Sequence, residues 1–107
     1  MLNANLQPGE IIESLGQFRL KVIQNKNSYC FSADSLLLAE FIKIKNREKI
    51  IDLGTGCGII PLLLYSPQKN NVIFGVEIQE KLASLAERNI LINNLEKRIF
   101  IEQGDIN

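Results

Sequence analysis

The stretch Lys-Ile-Ile-Asp-Leu-Gly-Thr-Gly-Cys-Gly-Ile-Ile-Pro, at residues 49–61, decides how this chain is interpreted. An apolar run leads into a turn that is dense in glycine, and a second apolar run of helical length follows the turn. Glycine lets a backbone bend sharply, and it lets a ligand approach without meeting a Cβ atom. The order strand, glycine loop, helix therefore predicts a corner that binds a nucleotide.

The spacing of the glycines narrows the kind of nucleotide. A dinucleotide-binding loop has the pattern G-x-G-x-x-G, whereas this loop has Gly54, Gly56 and Gly58, with Ile59 at the third position of that pattern. No Gly-Lys-Ser/Thr follows, so the phosphate-binding P-loop is absent from the sequence. Half of an NAD-linked oxidoreductase therefore remains only as an alternative.

Two further acidic residues stand at the ends of predicted strands. Residues 72–77 are typical of a buried strand that ends in Glu77, where an acid can accept hydrogen bonds from ribose hydroxyls. Residues 99–105 are typical of a third strand, and it ends in Asp105. Together with Asp52, these acids place three carboxylates at one edge of a parallel sheet, where they would line a single crevice.

The string Asp-Leu-Gly-Thr-Gly-Cys-Gly at residues 52–58, with the two later acids, resembles the first motifs of the class I methyltransferases that use S-adenosylmethionine (SAM). The resemblance implies that Asp52 and the glycines surround the methionine end of SAM, that Glu77 binds the ribose and that Asp105 faces the adenine amino group. The predicted cofactor-binding residues are Asp52, Gly54, Thr55, Gly56, Gly58, Glu77, Ile78, Asp105 and Ile106.

The N-terminal half resembles a narrower group. Residues 6–10, residues 22–24 and the string Tyr-Cys-Phe-Ser-Ala-Asp-Ser-Leu-Leu-Leu-Ala-Glu-Phe at 29–41 are similar to bacterial methyltransferases that modify N6 of an adenine in transfer RNA, and to related "small domain" methyltransferases. The resemblance implies RNA, in particular transfer RNA, as the partner of the full-length protein. The same helix string also suits an ordinary amphipathic helix with a polar cap.

One element of that group is missing from the sequence. Its members hold the target amine with an Asn-Pro-Pro-Tyr-type motif after the fourth strand, and no Asn-Pro pair occurs here. We therefore expect a fragment that contains the cofactor half of the enzyme, name no catalytic residue, and expect this segment to be inactive alone. A non-catalytic binding or interaction module with the same fold is a further alternative.

Composition limits the remaining possibilities. The chain has 107 residues, 46% of them hydrophobic, which suits one folded domain. Its 12 basic and 12 acidic residues cancel, which argues against a dedicated polyanion-binding surface. Without histidine and with only Cys30 and Cys57, a metal site is unsupported, and a reducing, cytoplasmic compartment is expected. The longest apolar run, residues 59–65, is too short to span a membrane.

The N-terminal part is predicted to form a hairpin and a helix. Residues 18–24 alternate apolar and polar side chains as a half-buried strand does, and residues 29–31 would return as its partner. A helix over residues 34–44, capped by Ser32 or Asp34, would pack Leu37, Phe41 and Ile44 on the sheet.

The C-terminal part is predicted to alternate strands and helices. A short helix over residues 58–65 and a longer one over 79–93 separate the three strands, and Asn94 would end the longer helix in a left-handed conformation. Its buried face would be Leu82, Leu85, Ala86 and Ile90, and its solvated residues would be Glu80, Lys81, Glu87 and Arg88.

The whole pattern predicts the α/β class. We expect the N-terminal half of a doubly wound, Rossmann-like methyltransferase fold, preceded by a β-hairpin and helix, with one segment at residues 1–48 and the first half of the SAM-binding domain at 49–107. The strand at residues 49–53 belongs in the middle of a complete sheet. Left at an edge, it would be a template for self-association unless the N-terminal hairpin covered it.

Overall fold

The computed structural model describes residues 6–26 and 31–105. Its elements are, in chain order, β1 (Glu10–Leu15), a 3-10 turn (Gly16–Phe18), β2 (Leu20–Asn25), α1 (Ala33–Phe41), β3 (Lys49–Leu53), α2 (Ile59–Leu64), a 3-10 turn (Pro67–Lys69), β4 (Val72–Glu77), α3 (Glu80–Ile92) and β5 (Ile99–Gln103). The strands form a two-stranded antiparallel sheet and a three-stranded parallel sheet of order β3-β4-β5. The predicted α/β class and the predicted parallel sheet of three strands separated by helices are confirmed.

The parallel sheet follows the sequence pattern closely. The strands β3 and β4 have the predicted bounds, and β5 ends at Gln103, two residues before Asp105. In register, Ile50 lies beside Ile73, and Ile73 lies beside Ile99. This row packs into a core that also contains side chains of α2, α3 and β2. One core thus joins the N-terminal hairpin to the sheet, while the predicted boundary after residue 48 stays a prediction.

The hairpin differs from the prediction. The strand β2 pairs with β1, so that Ile12 lies opposite Ile23, and the connecting turn contains Arg19 in a left-handed conformation with φ of 56°. Phe31 is not part of a strand, and Tyr29 and Cys30 lie outside the described residues. The sequence of β1 does not alternate regularly, because Ile11 and Ile12 are adjacent and both flanked by acids, so periodicity gives no strand signal there.

The prediction for α1 is wrong in its length and in the packing of Leu37 and Phe41, whereas Ile44, beyond the end of the helix, is partly buried against the core. The helix ends at Phe41 rather than Ile44, and Phe41 is 82% exposed, while Leu37 is also exposed. The helix lies against α2 instead of the parallel sheet. Ser32 occupies the N-cap position without a side-chain cap bond. Because apolar residues occur on every side of this helix, their spacing could not indicate which side is buried.

The helices α2 and α3 lie where the sequence predicts them, and each is shorter than predicted by one residue at either end. Pro61 lies in the first turn of α2, where a missing N–H leaves no intrahelical bond unmade. Asn94 follows α3 with φ of 58°, and its N–H donates to Leu91 O at 3.0 Å while Leu95 N donates to Ile90 O at 3.1 Å. These two bonds make the expected left-handed helix stop.

The faces of α3 match the prediction only in part, since Ala83 and Asn89 are buried as well. Leu85, Ala86 and Ile90 are buried as expected, and Leu82 is partly buried against the core. Arg88 was expected to be solvated, and this is wrong, because its guanidinium binds the Glu10 carboxylate through both nitrogens at 2.7 and 2.8 Å. The partner lies in β1, far away in sequence, and so the pattern of the helix alone did not reveal it.

Candidate cofactor site

The glycine loop between β3 and α2 is held mainly through its backbone. The N–H groups of Gly54 and Thr55 both donate to Val76 O, at 2.8 and 2.9 Å, so the loop lies over the carboxyl end of β4. Inside the loop, Gly58 N donates to Thr55 O at 2.9 Å and closes a tight turn. The loop therefore has a fixed shape at the carboxyl edge of the sheet, as the sequence predicts.

Glu77 holds the next part of the loop. Its side chain is buried, Oε1 accepts a hydrogen bond from Gly56 N at 2.8 Å, and Oε2 accepts one from Gln79 N at 3.0 Å. The sequence indicated a ligand contact for this acid and did not indicate the brace on the loop. Since each carboxylate oxygen can accept more than one hydrogen bond, the predicted contact with a ribose stays a prediction beside the brace.

Asp52 and Thr55 contribute polar atoms that lack partners. Asp52 Oδ2 and Thr55 Oγ1 are buried, and within the described part of the chain neither atom has a hydrogen-bond partner. Burial raises the pKa of the Asp52 carboxyl above its usual value, and the charge of Glu77 adds to the shift. The Thr55 hydroxyl nearby lowers the same pKa, although the two side chains do not reach hydrogen-bonding geometry. Such atoms are candidates for contact with a polar ligand.

Two glycines permit close approach around the loop. A Cβ at Gly75, in β4, would lie 2.8 Å from Thr55 Oγ1, which is closer than side-chain atoms pack. The sequence analysis did not single out Gly75, since a glycine inside a strand indicates a close contact without naming the partner. A Cβ at Gly58 would lie 3.3 Å from Ala86 Cβ, and Gly58 also has φ of 87°. This glycine lets the loop approach α3.

The remaining predicted cofactor-binding residues are Ile78, Asp105 and Ile106. Gly104 N donates to Glu77 O at 3.0 Å, which brings the chain beyond β5 to the end of β4. Asp105 follows there and is exposed, and Ile78 is 58% exposed. Ile106 lies outside the described residues. The structure thus brings together the loop, Asp52 and Glu77, while the contacts proposed for the other three residues stay predictions.

A buried asparagine was missed by the sequence analysis. Asn89, in α3, donates from Nδ2 to Cys57 O of the loop at 2.9 Å. The thiol of Cys57 is buried and is not in a disulfide. An asparagine on the buried face of a helix is a signal that could have been used, because an amide there must find hydrogen-bond partners.

A groove, metal-binding side chains and membrane-spanning helices are the other features that could indicate a function. A groove of about 690 Å³ lies between the N-terminal segment and α3, beside Glu10 and Arg88, and contains none of the predicted site residues. Across residues 6–26 and 31–105, no group of three or more His, Cys, Asp or Glu side chains is arranged to hold a metal ion. None of the helices in these ranges is long and apolar enough to cross a membrane.

The fold and the loop define a class I methyltransferase domain, and comparison with known proteins identifies the family. Residues 20–107 match the family model described as protein-L-isoaspartate(D-aspartate) O-methyltransferase, and the chain belongs to this methyltransferase family. A tRNA1(Val) (adenine(37)-N6)-methyltransferase from Actinobacillus succinogenes is 35% identical over 74 residues, which are 68% of this chain and 31% of that protein.

Two solved structures share the fold. A SAM-dependent O-methyltransferase from Thermotoga maritima is 30% identical, with a TM-score of 0.60 over 74% of this chain and 30% of the other. Pyrococcus horikoshii TYW2 in complex with MeSAdo is 16% identical, with a TM-score of 0.74 over 92% of this chain and 37% of the other. The chain thus spans about a third of the length of the proteins it matches.

These comparisons confirm the predicted class of enzyme. The resemblance to class I methyltransferases, the Rossmann-like fold and the assignment as a transferase agree with the family. The alternative of an oxidoreductase half is not supported, because the matching family is one of methyltransferases.

Proposed function

We propose that this chain is the SAM-binding part of a methyltransferase that acts in the cytoplasm on N6 of an adenine in transfer RNA. SAM, when bound, supplies the methyl group. The observation that carries the proposal lies at the carboxyl ends of β3 and β4, where a braced glycine loop lies beside two buried polar atoms without hydrogen-bond partners among the described residues, Asp52 Oδ2 and Thr55 Oγ1.

The residues at this edge of the sheet suit SAM chemically. SAM carries an ammonium group and ribose hydroxyls, which donate hydrogen bonds, and Asp52 and Glu77 supply carboxylate oxygens that accept them. A charged partner strengthens such bonds. Asp105, at the end of the neighbouring strand, would accept from the adenine amino group. No phosphate has to be bound, which agrees with a loop that lacks the P-loop lysine.

The first test measures binding of S-adenosylhomocysteine (SAH) to this chain by calorimetry. Glu77→Ala should weaken binding by roughly 1–3 kcal/mol, because it removes both the brace on Gly56 and the predicted ribose acceptor. Glu77→Gln keeps one carbonyl oxygen for Gly56 and should lose less. The exposed Glu80 is the matched control, and Glu80→Ala should bind as the unsubstituted chain does. Unchanged affinity in Glu77→Ala would show that the ribose assignment is wrong.

The substrate is tested with the full-length protein. Methyl transfer requires an acceptor held in line with the methyl group, and the motif that holds the amine in the resembling group is absent from this sequence. We expect labelled methyl to enter unmodified transfer RNA with the full-length enzyme, and no incorporation with this segment alone. Incorporation by the segment would refute its predicted inactivity.

The matching family suggests a second candidate function. Its description names transfer to the carboxyl oxygen of isoaspartyl residues in proteins, and its match includes β2 as well as the whole parallel sheet. An isoaspartyl peptide should therefore be offered to the full-length protein beside transfer RNA. Methylation of the peptide and not of the RNA would replace the proposed substrate, and methylation of neither would favour a binding module.

A further inference from the structure

Two asparagines, Asn89 in α3 and Asn93 at the C-cap of this helix, hold the hairpin in the same way. Asn89 Oδ1 accepts from Ile23 N at 2.6 Å, and its Nδ2 donates to Ile23 O at 3.3 Å. One helical turn later, Asn93 accepts from Lys21 N at 2.9 Å and donates to Lys21 O at 2.7 Å. Alternate residues of a strand direct their backbone groups to the same edge, so α3 occupies the edge of β2 that β1 leaves free.

Only one of the two asparagines also contacts the glycine loop. Asn89 is fully buried, and its Nδ2 donates to Cys57 O, between Gly56 and Gly58, in addition to Ile23 O. Asn93 Nδ2 donates its other bond back to the last turn of α3, to Asn89 O at 2.7 Å. A single amide group of Asn89 therefore joins three segments, which are the hairpin, α3 and the loop.

We propose that Asn89 is a positioning residue, which fixes the cofactor loop relative to the N-terminal hairpin. It acts through the Cys57 carbonyl and need not touch the cofactor itself. Because the same amide holds Ile23, docking of the hairpin and binding of the cofactor should favour each other, and such coupling is reciprocal. This inference rests on the proposed function, since SAH binding is its readout.

Two variants separate the loop contact from the hairpin contact. Asn89→Ala removes both contacts, and Asn93→Ala removes a hairpin contact of the same kind without touching the loop. Both should lower the melting temperature. In calorimetry with SAH, Asn89→Ala should weaken binding about tenfold, within the usual range of coupling between sites, and Asn93→Ala less than about twofold.

The outcomes are distinguishable. Equal affinity of Asn89→Ala and the unsubstituted chain overturns the positioning role, and so does an equal loss in both variants, because general loosening of the hairpin would then explain it. If the unsubstituted chain fails to bind SAH, the proposed function is overturned and the inference with it.

A measurement on the unsubstituted chain covers the case in which Asn89→Ala does not fold. SAH binding should slow amide hydrogen exchange at Ile23, whose N–H is held by Asn89, about tenfold. Exchange at Lys21, held by Asn93, should slow less. No change at Ile23 under saturating SAH overturns the inference.

Discussion

The two faces of the parallel sheet are built from the same three strands, and they differ in how they are covered. On one face, Ile73 and Ile99 are buried in the core with α2, α3 and β2. On the other face, the adjacent row of Ile51, Phe74 and Phe100 is exposed by 66%, 38% and 43%. Side chains alternate between the faces of a strand, so neighbouring residues have opposite environments.

The two faces therefore show that an apolar side chain in these strands is not always a buried one. Strands of parallel sheets are apolar on both faces because helices usually cover both. Phe74 and Phe100 stack on each other with ring centroids 5.5 Å apart, and both side chains remain partly exposed. The chain spans 31% of the transfer RNA methyltransferase that it matches. We infer that the exposed row is suited to further elements of a doubly wound domain.

The largest predicted effect on stability comes from a comparison of two adjacent residues of β4, one on each face of the sheet. Ile73→Ala leaves a cavity in the covered face and should lower the free energy of unfolding by about 2–5 kcal/mol. Phe74→Ala removes a larger side chain, but from the exposed face, and should cost only about 0.5–1.5 kcal/mol through the lost ring contact. Urea unfolding followed by circular dichroism measures both. Equal losses would show that the two faces are equally buried in solution.

The elements predicted correctly from the sequence depend on local signals. Long apolar runs fix β3 and β4 at their observed ends, and the left-handed Asn94 marks the end of α3. The position of the glycine loop beside Asp52 and Glu77 was predictable in the same way, because the glycines and the acids at strand ends occur at a recognisable spacing, while their contacts with a cofactor stay predictions.

The parts that were not predicted depend on partners far away in the chain. Asn89 bonds a residue 66 positions away, Asn93 one 72 positions away, and Arg88 one 78 positions away. A helix pattern shows that a polar residue is buried or exposed and does not show which distant group it contacts. The exposure of Leu37 and Phe41 in α1 has a different cause, since apolar residues that lie on every side of a helix do not select a buried face.

A second substitution tests the edge of the sheet. The strand β3 lies at the edge, and the hairpin forms a separate sheet, so the hairpin does not pair with β3. We propose that two copies of this chain associate through this edge and its exposed Ile51 and Leu53. Ile51→Lys should weaken the association about tenfold, as loss of one good interface contact does.

Light scattering over a dilution series measures that association. Ile12→Lys is the matched control, because Ile12 is similarly apolar and 42% exposed but lies in the hairpin sheet. The control should associate as the unsubstituted chain does. A monomer at all concentrations, with protected amides at residues 50–53, would contradict the proposal.

The smallest effect is expected from the ion pair between Glu10 and Arg88, which joins β1 to α3. The Arg88 guanidinium lowers the pKa of the Glu10 carboxyl below its usual value of 4.5, although burial acts in the opposite direction. The folded chain therefore holds this proton less tightly than the unfolded chain. The stabilisation is present above pH 4.5 and is lost as the pH falls through the lowered pKa of Glu10.

The contribution of Glu10 has to be measured as a difference between the variant and the unsubstituted chain, because protonation of Asp52 changes the stability in the opposite sense. Its pKa is raised by burial, so protonation of Asp52 favours the folded chain as the pH falls. Glu10→Gln removes only the pH-dependent stability that Glu10 contributes. At pH 7 it should lower the free energy of unfolding by about 1 kcal/mol, the upper range for a partly exposed pair, and the difference from the unsubstituted chain should vanish at low pH. Arg88→Met should remove the same difference, and the double variant should show no further loss. A difference that persists at low pH would show that Glu10 stabilises β1 by packing and not by its charge.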